Sequence, residues 1–114
     1  MHEMSLVQAL LTQLAELAAE HDKKRVVTVT LDIGPLSGVV IDSFQFGFDI
    51  LSAENSLTKG AKLIISNPPA TYQCIRCGHS QSALIRPDHC PQCHETLLIP
   101  DGGDAIILNQ VEME

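Results

Sequence analysis

Four cysteines stand in two Cys-x-x-Cys pairs, Cys74/Cys77 and Cys90/Cys93, with twelve residues between the pairs. Two such knuckles can close a tetrahedral shell of four thiolates around one metal ion, at a spacing usual for structural zinc. The chain holds no other cysteine, so the count suits one closed site. A closed shell leaves no open position for chemistry, so activity must be sought elsewhere. The second candidate is Met1-His2-Glu3, where a terminal amine, backbone amides and the His2 imidazole can converge on one ion. Four in-plane nitrogens give the square-planar or tetragonal field that Ni(II) and Cu(II) favour. The Glu3 carboxylate could add an oxygen or orient the imidazole.

Other metal chemistries compete for the cysteines. A rubredoxin-type iron centre uses a similar shell, but expects an aromatic core, and Tyr72 is the one aromatic residue near the site. Cys90-Pro91-Gln92-Cys93-His94 also fits the c-type haem attachment pattern, which would orphan Cys74 and Cys77. His79 and His94 follow the two knuckles closely. They either hydrogen-bond the sulfurs from outside or exchange with a cysteine as ligands in a metal-sensing switch. His21 and His89 read as surface residues.

These groups must be positioned by a small aliphatic protein. The chain has 114 residues, 45% of them apolar, and four aromatics: Phe44, Phe46, Phe48 and Tyr72. A formal charge of −7 argues against nucleic acid or an anionic membrane, which need clustered Lys and Arg. It suits a protein that handles cations or docks on basic surfaces. No signal-peptide pattern opens the chain and no apolar run is long enough to span a bilayer. The expected compartment is the cytoplasm, where paired cysteines mean metal rather than disulfide. No GxxxxGK[ST] loop or framed nucleophile is present, so the chain does not read as an enzyme.

Residues Ser5 to His21 carry an apolar stripe of Leu6, Val7, Leu10, Leu11, Leu14, Leu17 and Ala18 at helical spacing. Ser5 and Gln8 suggest a capping box that starts the helix there and leaves residues 1–4 ahead of it. Val27, Val29, Leu31 and Ile33 alternate with Thr28, Thr30 and Asp32 as a half-buried strand ending at Gly34-Pro35. Asp42-Ser43 would cap a second helix to about Asn55, burying Phe44, Phe48 and Leu51. A second strand, Ala61 to Ser66, stops at the Asn67-Pro68-Pro69 linker. The zinc segment, Thr71 to Ile99, is too short to hold a core without its metal. Pro100 to Gly103 would turn the chain back into a last strand, Ala105 to Val111. The expected fold class is α+β: two helices on a three-stranded sheet, with an inserted zinc-ribbon-like module. The domains would be 1–70, completed by 101–114, and 71–100.

The Met1-His2-Glu3 start, the amphipathic helix, Asp32-Ile33-Gly34, Cys77-Gly78-His79 and Cys93-His94 occur in an order that resembles the HypA/HybF family over nearly the whole chain. Members of that family are nickel metallochaperones for [NiFe]-hydrogenase maturation. The resemblance implies that His2 ligates Ni(II), with Met1 and Glu3 contributing, while Cys74, Cys77, Cys90 and Cys93 hold Zn²⁺. It implies the GTPase HypB and the hydrogenase large-subunit precursor as partners. A monomer or weak dimer is expected on a separate ground, that no long exposed apolar helix is left over. Some relatives carry an acid near the position of Val40 that joins the nickel site; here Val40 cannot ligate and Asp42 is the nearest carboxylate. Two other readings remain. A zinc-ribbon adaptor for nucleic acid would want basic residues around the ribbon, where Arg76 and Arg86 are the two present. A rubredoxin-like electron carrier would be red when purified.

Overall fold

The computed structural model describes residues 2–114. The chain runs α1 (His2–Glu20), β1 (Val26–Ile33), α2 (Ile41–Ser52), β2 (Lys62–Ser66), β3 (Ala70–Cys74), β4 (Ser80–Ala83), β5 (Leu98–Asp101) and β6 (Ile106–Met113). It divides into two compact units. The first takes 1–31, 39–66 and 107–114; the second takes 32–38 and 67–106. The second unit therefore reaches past the expected 71–100 segment at both ends and adds the stretch after β1.

The first unit holds both helices and the sheet β2-β1-β6. Arg25 and Glu114 exchange both backbone hydrogen bonds, at 3.0 and 2.9 Å, which is the antiparallel narrow pair. The apolar stripe of α1 falls where its spacing placed it. Val7, Leu10, Leu14 and Ala18 are buried, with Leu6, Leu11 and Leu17 half-buried beside them. In β1, Val29, Leu31 and Ile33 face inward as the alternation required, but Val26 takes the inward position expected of Val27. Phe44 and Phe48 complete the core from α2. Each such side chain contributes about 1.5–3 kcal/mol by leaving water. The helices meet closely at Gly47, where an added Cβ would lie 2.7 Å from Met4 Sδ.

Both helix starts differ from the sequence expectation. α1 begins at His2, so Ser5 lies inside the helix and residues 2–4 form its first turn. At the other end Asp22 takes a left-handed φ of 53°. Lys23 N–H reaches Ala18 C=O at 2.7 Å, closing the helix in a Schellman-type cap without glycine. α2 begins at Ile41, one residue before the expected Asp42-Ser43 cap. Its N-cap is Val40, which has no side-chain oxygen to offer.

The second unit contains the sheet β4-β3-β5; β3 alternates Ala70, Tyr72 and Cys74 inward with Thr71 and Gln73, whereas β4 and β5 carry no such apolar alternation. β3 pairs antiparallel with both neighbours, Thr71 facing Ser82 on one side and Asp101 on the other. Pro100, expected in a turn, stands opposite Tyr72 within β5. This is tolerated because β5 is an edge strand. The small core is Ala70, Tyr72, Cys74, Cys90 and Leu98. Arg86 covers it, with its guanidinium carbon 5.6 Å from the Tyr72 ring centroid and a 2.7 Å hydrogen bond to Leu98 C=O.

Candidate metal centres

The two knuckles are built alike. Cys74 N–H donates to His79 C=O at 2.8 Å and Gly78 N–H donates to Cys74 C=O at 3.0 Å. In the second knuckle Cys90 N–H donates to Glu95 C=O at 2.7 Å and His94 N–H donates to Cys90 C=O at 2.9 Å. Gly78 and His94 thus hold the same structural position, and both have left-handed φ, 79° and 66°. Glycine meets that demand at no steric cost, and histidine is among the side-chain-bearing residues found there.

The four Sγ atoms all lie within 4.8 Å of one another. Cys74 and Cys93 are 3.5 Å apart and Cys77 and Cys90 are 3.6 Å apart. A disulfide would bring a pair to about 2.05 Å. Four sulfurs about 2.3 Å from one ion stand about 3.8 Å apart along tetrahedral edges. The spacing therefore fits zinc and not disulfides. The backbone amides of Arg76 and Cys77 point at Cys74 Sγ, at 3.4 and 3.5 Å.

Those amides bias the thiols unequally. The Cys77 amide, against the cost of burial and with help from Arg76 and the neighbouring thiols, draws Cys74 down to about 7. At Cys93 the Glu95 amide favours the thiolate, but burial and the hydrogen bonds to Cys74, Cys77 and Cys90 outweigh it and push the thiol up to about 12. A dication that displaces the protons resolves this conflict.

At the other candidate site, His2 is exposed and Glu3 half-buried in the first turn of α1; Met1 lies outside the described residues. The Glu3 carboxylate accepts a 3.3 Å hydrogen bond from Val40 N–H. The sequence singled out both positions without showing that they touch. Next to them Met4, Asp42, Ser43, Phe46 and Ile50 line a groove of about 400 Å³, and Phe46 leaves 67% of its surface exposed. His79 is half-buried and His94 exposed. His89, expected to be an ordinary surface residue, lies with its ring centroid 5.5 Å from that of His94.

The site and fold define a small α+β metal-binding protein in which a four-cysteine centre fastens a short sheet. A family model described as "Hydrogenase/urease nickel incorporation, metallochaperone, hypA" matches residues 1–113. Hydrogenase maturation factor HypA of Alkalilimnicola ehrlichii is 38% identical over the full length of both chains. Hydrogenase maturation factor HybF of Escherichia coli O157:H7 is 35% identical, again over both full chains. The solution structure of the Ni metallochaperone HypA from Helicobacter pylori superposes with a TM-score of 0.68 at 25% identity, covering 97% of this chain and 96% of that one. A second solution structure of HypA protein gives 0.71 at 26%, covering 100% and 97%. The chain belongs to the HypA family of nickel metallochaperones for hydrogenase maturation. These relatives bear the names of maturation factors and of a Ni metallochaperone, and the four-cysteine cluster of this chain suits the structural zinc expected from the sequence. Among the described residues no helix is long and apolar enough to cross a membrane.

Proposed function

We propose that this chain receives Ni(II) at its amino terminus and delivers it to the hydrogenase large-subunit precursor, acting with the GTPase HypB in the cytoplasm. His2 is the principal ligand, through its imidazole and backbone nitrogen. The amine of Met1 completes the nitrogen set, and Glu3 holds the first turn in place. Cys74, Cys77, Cys90 and Cys93 keep zinc permanently as architecture, in a zinc module that the sequence places at 71–100.

The observation that carries this reading is the start of α1 at His2. The first four N–H groups of a helix have no carbonyl four residues back, so the amides of His2 and Glu3 are not engaged in the helical ladder. They are available to bind as ionised nitrogens without breaking helix hydrogen bonds. The exposed His2 side chain stands with them, and Glu3 is anchored on Val40. Nitrogen donors at a solvent-facing terminus permit release by stepwise ligand exchange, which a buried cage would not. An overall charge of −7 and the exposed Phe46 beside the first turn favour exchange on the surface of a protein with basic groups. They disfavour the nucleic-acid adaptor, as does the use of Arg86 to cover Tyr72.

The test is elemental analysis with nickel calorimetry on three proteins: the natural chain, His2→Ala, and a chain extended before Met1. All three are expected to keep one zinc. The tight nickel binding of the amino terminus is lost in His2→Ala and altered in the extended chain, whose amine has become an amide. Unchanged nickel affinity in His2→Ala would overturn the assignment.

A further inference from the structure

His89 and His94 are both exposed; His94 lies within the loop closed by the Cys90–Glu95 and His94–Cys90 hydrogen bonds, and His89 stands at its edge. His89 immediately precedes Cys90. His94 follows Cys93 and takes the position that Gly78 holds in the first knuckle. Their ring centroids lie 5.5 Å apart with planes tilted by 35°. Two imidazoles bound side by side to one ion, with metal–nitrogen distances of about 2.1 Å, place their centroids about 4.5–5.5 Å apart. The observed pair is at the upper end of that range without any rearrangement of the loop.

Electrostatics favours a cation at this place. Four thiolates around one dication leave a net negative centre, and Cys90 and Cys93 adjoin the two histidines in sequence. The donor type selects among cations: neutral imidazole suits Ni(II), Cu(II) and Zn(II) over Ca²⁺ and Mg²⁺, which take oxygen. Among the described residues the one cluster of three or more metal-ligating side chains is the cysteine set. The histidine pair would thus present two protein ligands, with water filling the other positions. Such a site is weak and exchangeable.

We propose that His89 and His94 form a second, transient Ni(II) site on the outer face of the second knuckle, separate from the four-cysteine centre and from the amino terminus. It gives the zinc-bearing unit its own place to hold a nickel ion for a short time. The inference goes beyond the proposed delivery role and does not rest on it.

The experiment uses the zinc-loaded chain carrying His2→Ala, so that binding at the amino terminus cannot contribute, and Ni(II) alone as the probe. Imidazole proton resonances are followed during substoichiometric additions. The expected result is selective paramagnetic broadening of His89 and His94, with His21 and His79 sharp and zinc content unchanged. His89→Ala and His94→Gly should each weaken this binding at least tenfold by calorimetry. His94→Gly returns the backbone to the residue its φ prefers, and zinc retention in it shows that the knuckle is intact. Broadening spread equally over all four histidines would overturn the proposal. So would an affinity unchanged in both variants, or zinc expelled as nickel enters.

Discussion

Glu3 accepts a hydrogen bond from the backbone amide of Val40 at 3.3 Å. It thereby ties the first turn of α1 to the start of α2, thirty-seven residues away. In a capping box a glutamate at the third helical position turns back to the N-cap amide; here that position in α2 is Ser43, and a glutamate from another helix takes the Val40 amide instead. Glu3→Gln keeps an acceptor and should hold its denaturation midpoint. Glu3→Ala should lose up to about 1 kcal/mol of stability and weaken nickel binding by about fivefold, the equivalent of ~1 kcal/mol. Calorimetry and denaturant unfolding of the two variants check this. Equal nickel affinity in Glu3→Ala and the natural chain would mean that the tie does not position the terminus.

The unequal thiols predict a pH-dependent proton release on zinc binding. Cys93, at about 12, carries its proton throughout the neutral range and gives it up whenever the ion enters. Cys74, at about 7, is mostly protonated at pH 6 and mostly thiolate at pH 8. Its contribution therefore falls from nearly one proton to about a tenth as pH rises, and apparent zinc affinity rises with pH. Calorimetry of the metal-free chain in buffers of different ionisation enthalpy measures this release. A release that stays constant from pH 6 to pH 8 would contradict the assignment of Cys74.

Much of this was legible in the residues. The cysteine spacing found the centre, and the apolar stripe of α1 and the core aromatics of α2 lie where periodicity placed them. What escaped depends on pairings and backbone angles that residue type and periodicity do not display. The Val40 amide at the start of α2 is met by Glu3 from another helix, which no local cap signal could reveal. The Ser80–Ala83 strand has no apolar alternation because it is ordered by pairing with β3. The structural equivalence of the two knuckles was hidden because one uses glycine and the other histidine for the same φ. His89 looked ordinary because its partner lies across a turn.

Tyr72 predicts a gain from a deletion. Its ring is fully buried and central to the second unit, yet its hydroxyl has no hydrogen-bond partner among the described residues. A buried hydroxyl without a partner costs about 1–3 kcal/mol. Tyr72→Phe should therefore keep zinc and melt at the same temperature or several degrees higher. Tyr72→Ala, which removes the ring that Arg86 covers, should cost about 3–5 kcal/mol. A Tyr72→Phe protein that melts lower would show that the hydroxyl has found a partner in solution.

Gly34 and Gly103 predict a pair of substitutions with different remedies. Leu36 N–H donates to Gly103 C=O at 2.7 Å and Gly34 N–H to Ala105 C=O at 3.0 Å, so two backbone segments run against each other. A Cβ on Gly34 would press into the backbone of Gly103, with its Cα at 2.9 Å. A Cβ on Gly103 would instead meet the Ala70 side chain at 2.5 Å, on a residue with φ of +77°. Overpacking of this kind costs about 1–3 kcal/mol, and left-handed φ on alanine adds roughly 1 kcal/mol. Both Gly34→Ala and Gly103→Ala should lower the melting temperature. Adding Ala70→Gly should restore part of the loss in Gly103→Ala, because it removes the atom being struck, and nothing in Gly34→Ala, where the obstacle is main chain. Thermal melts of the two double variants decide the matter, since rescue of Gly34→Ala by Ala70→Gly would contradict the backbone contact.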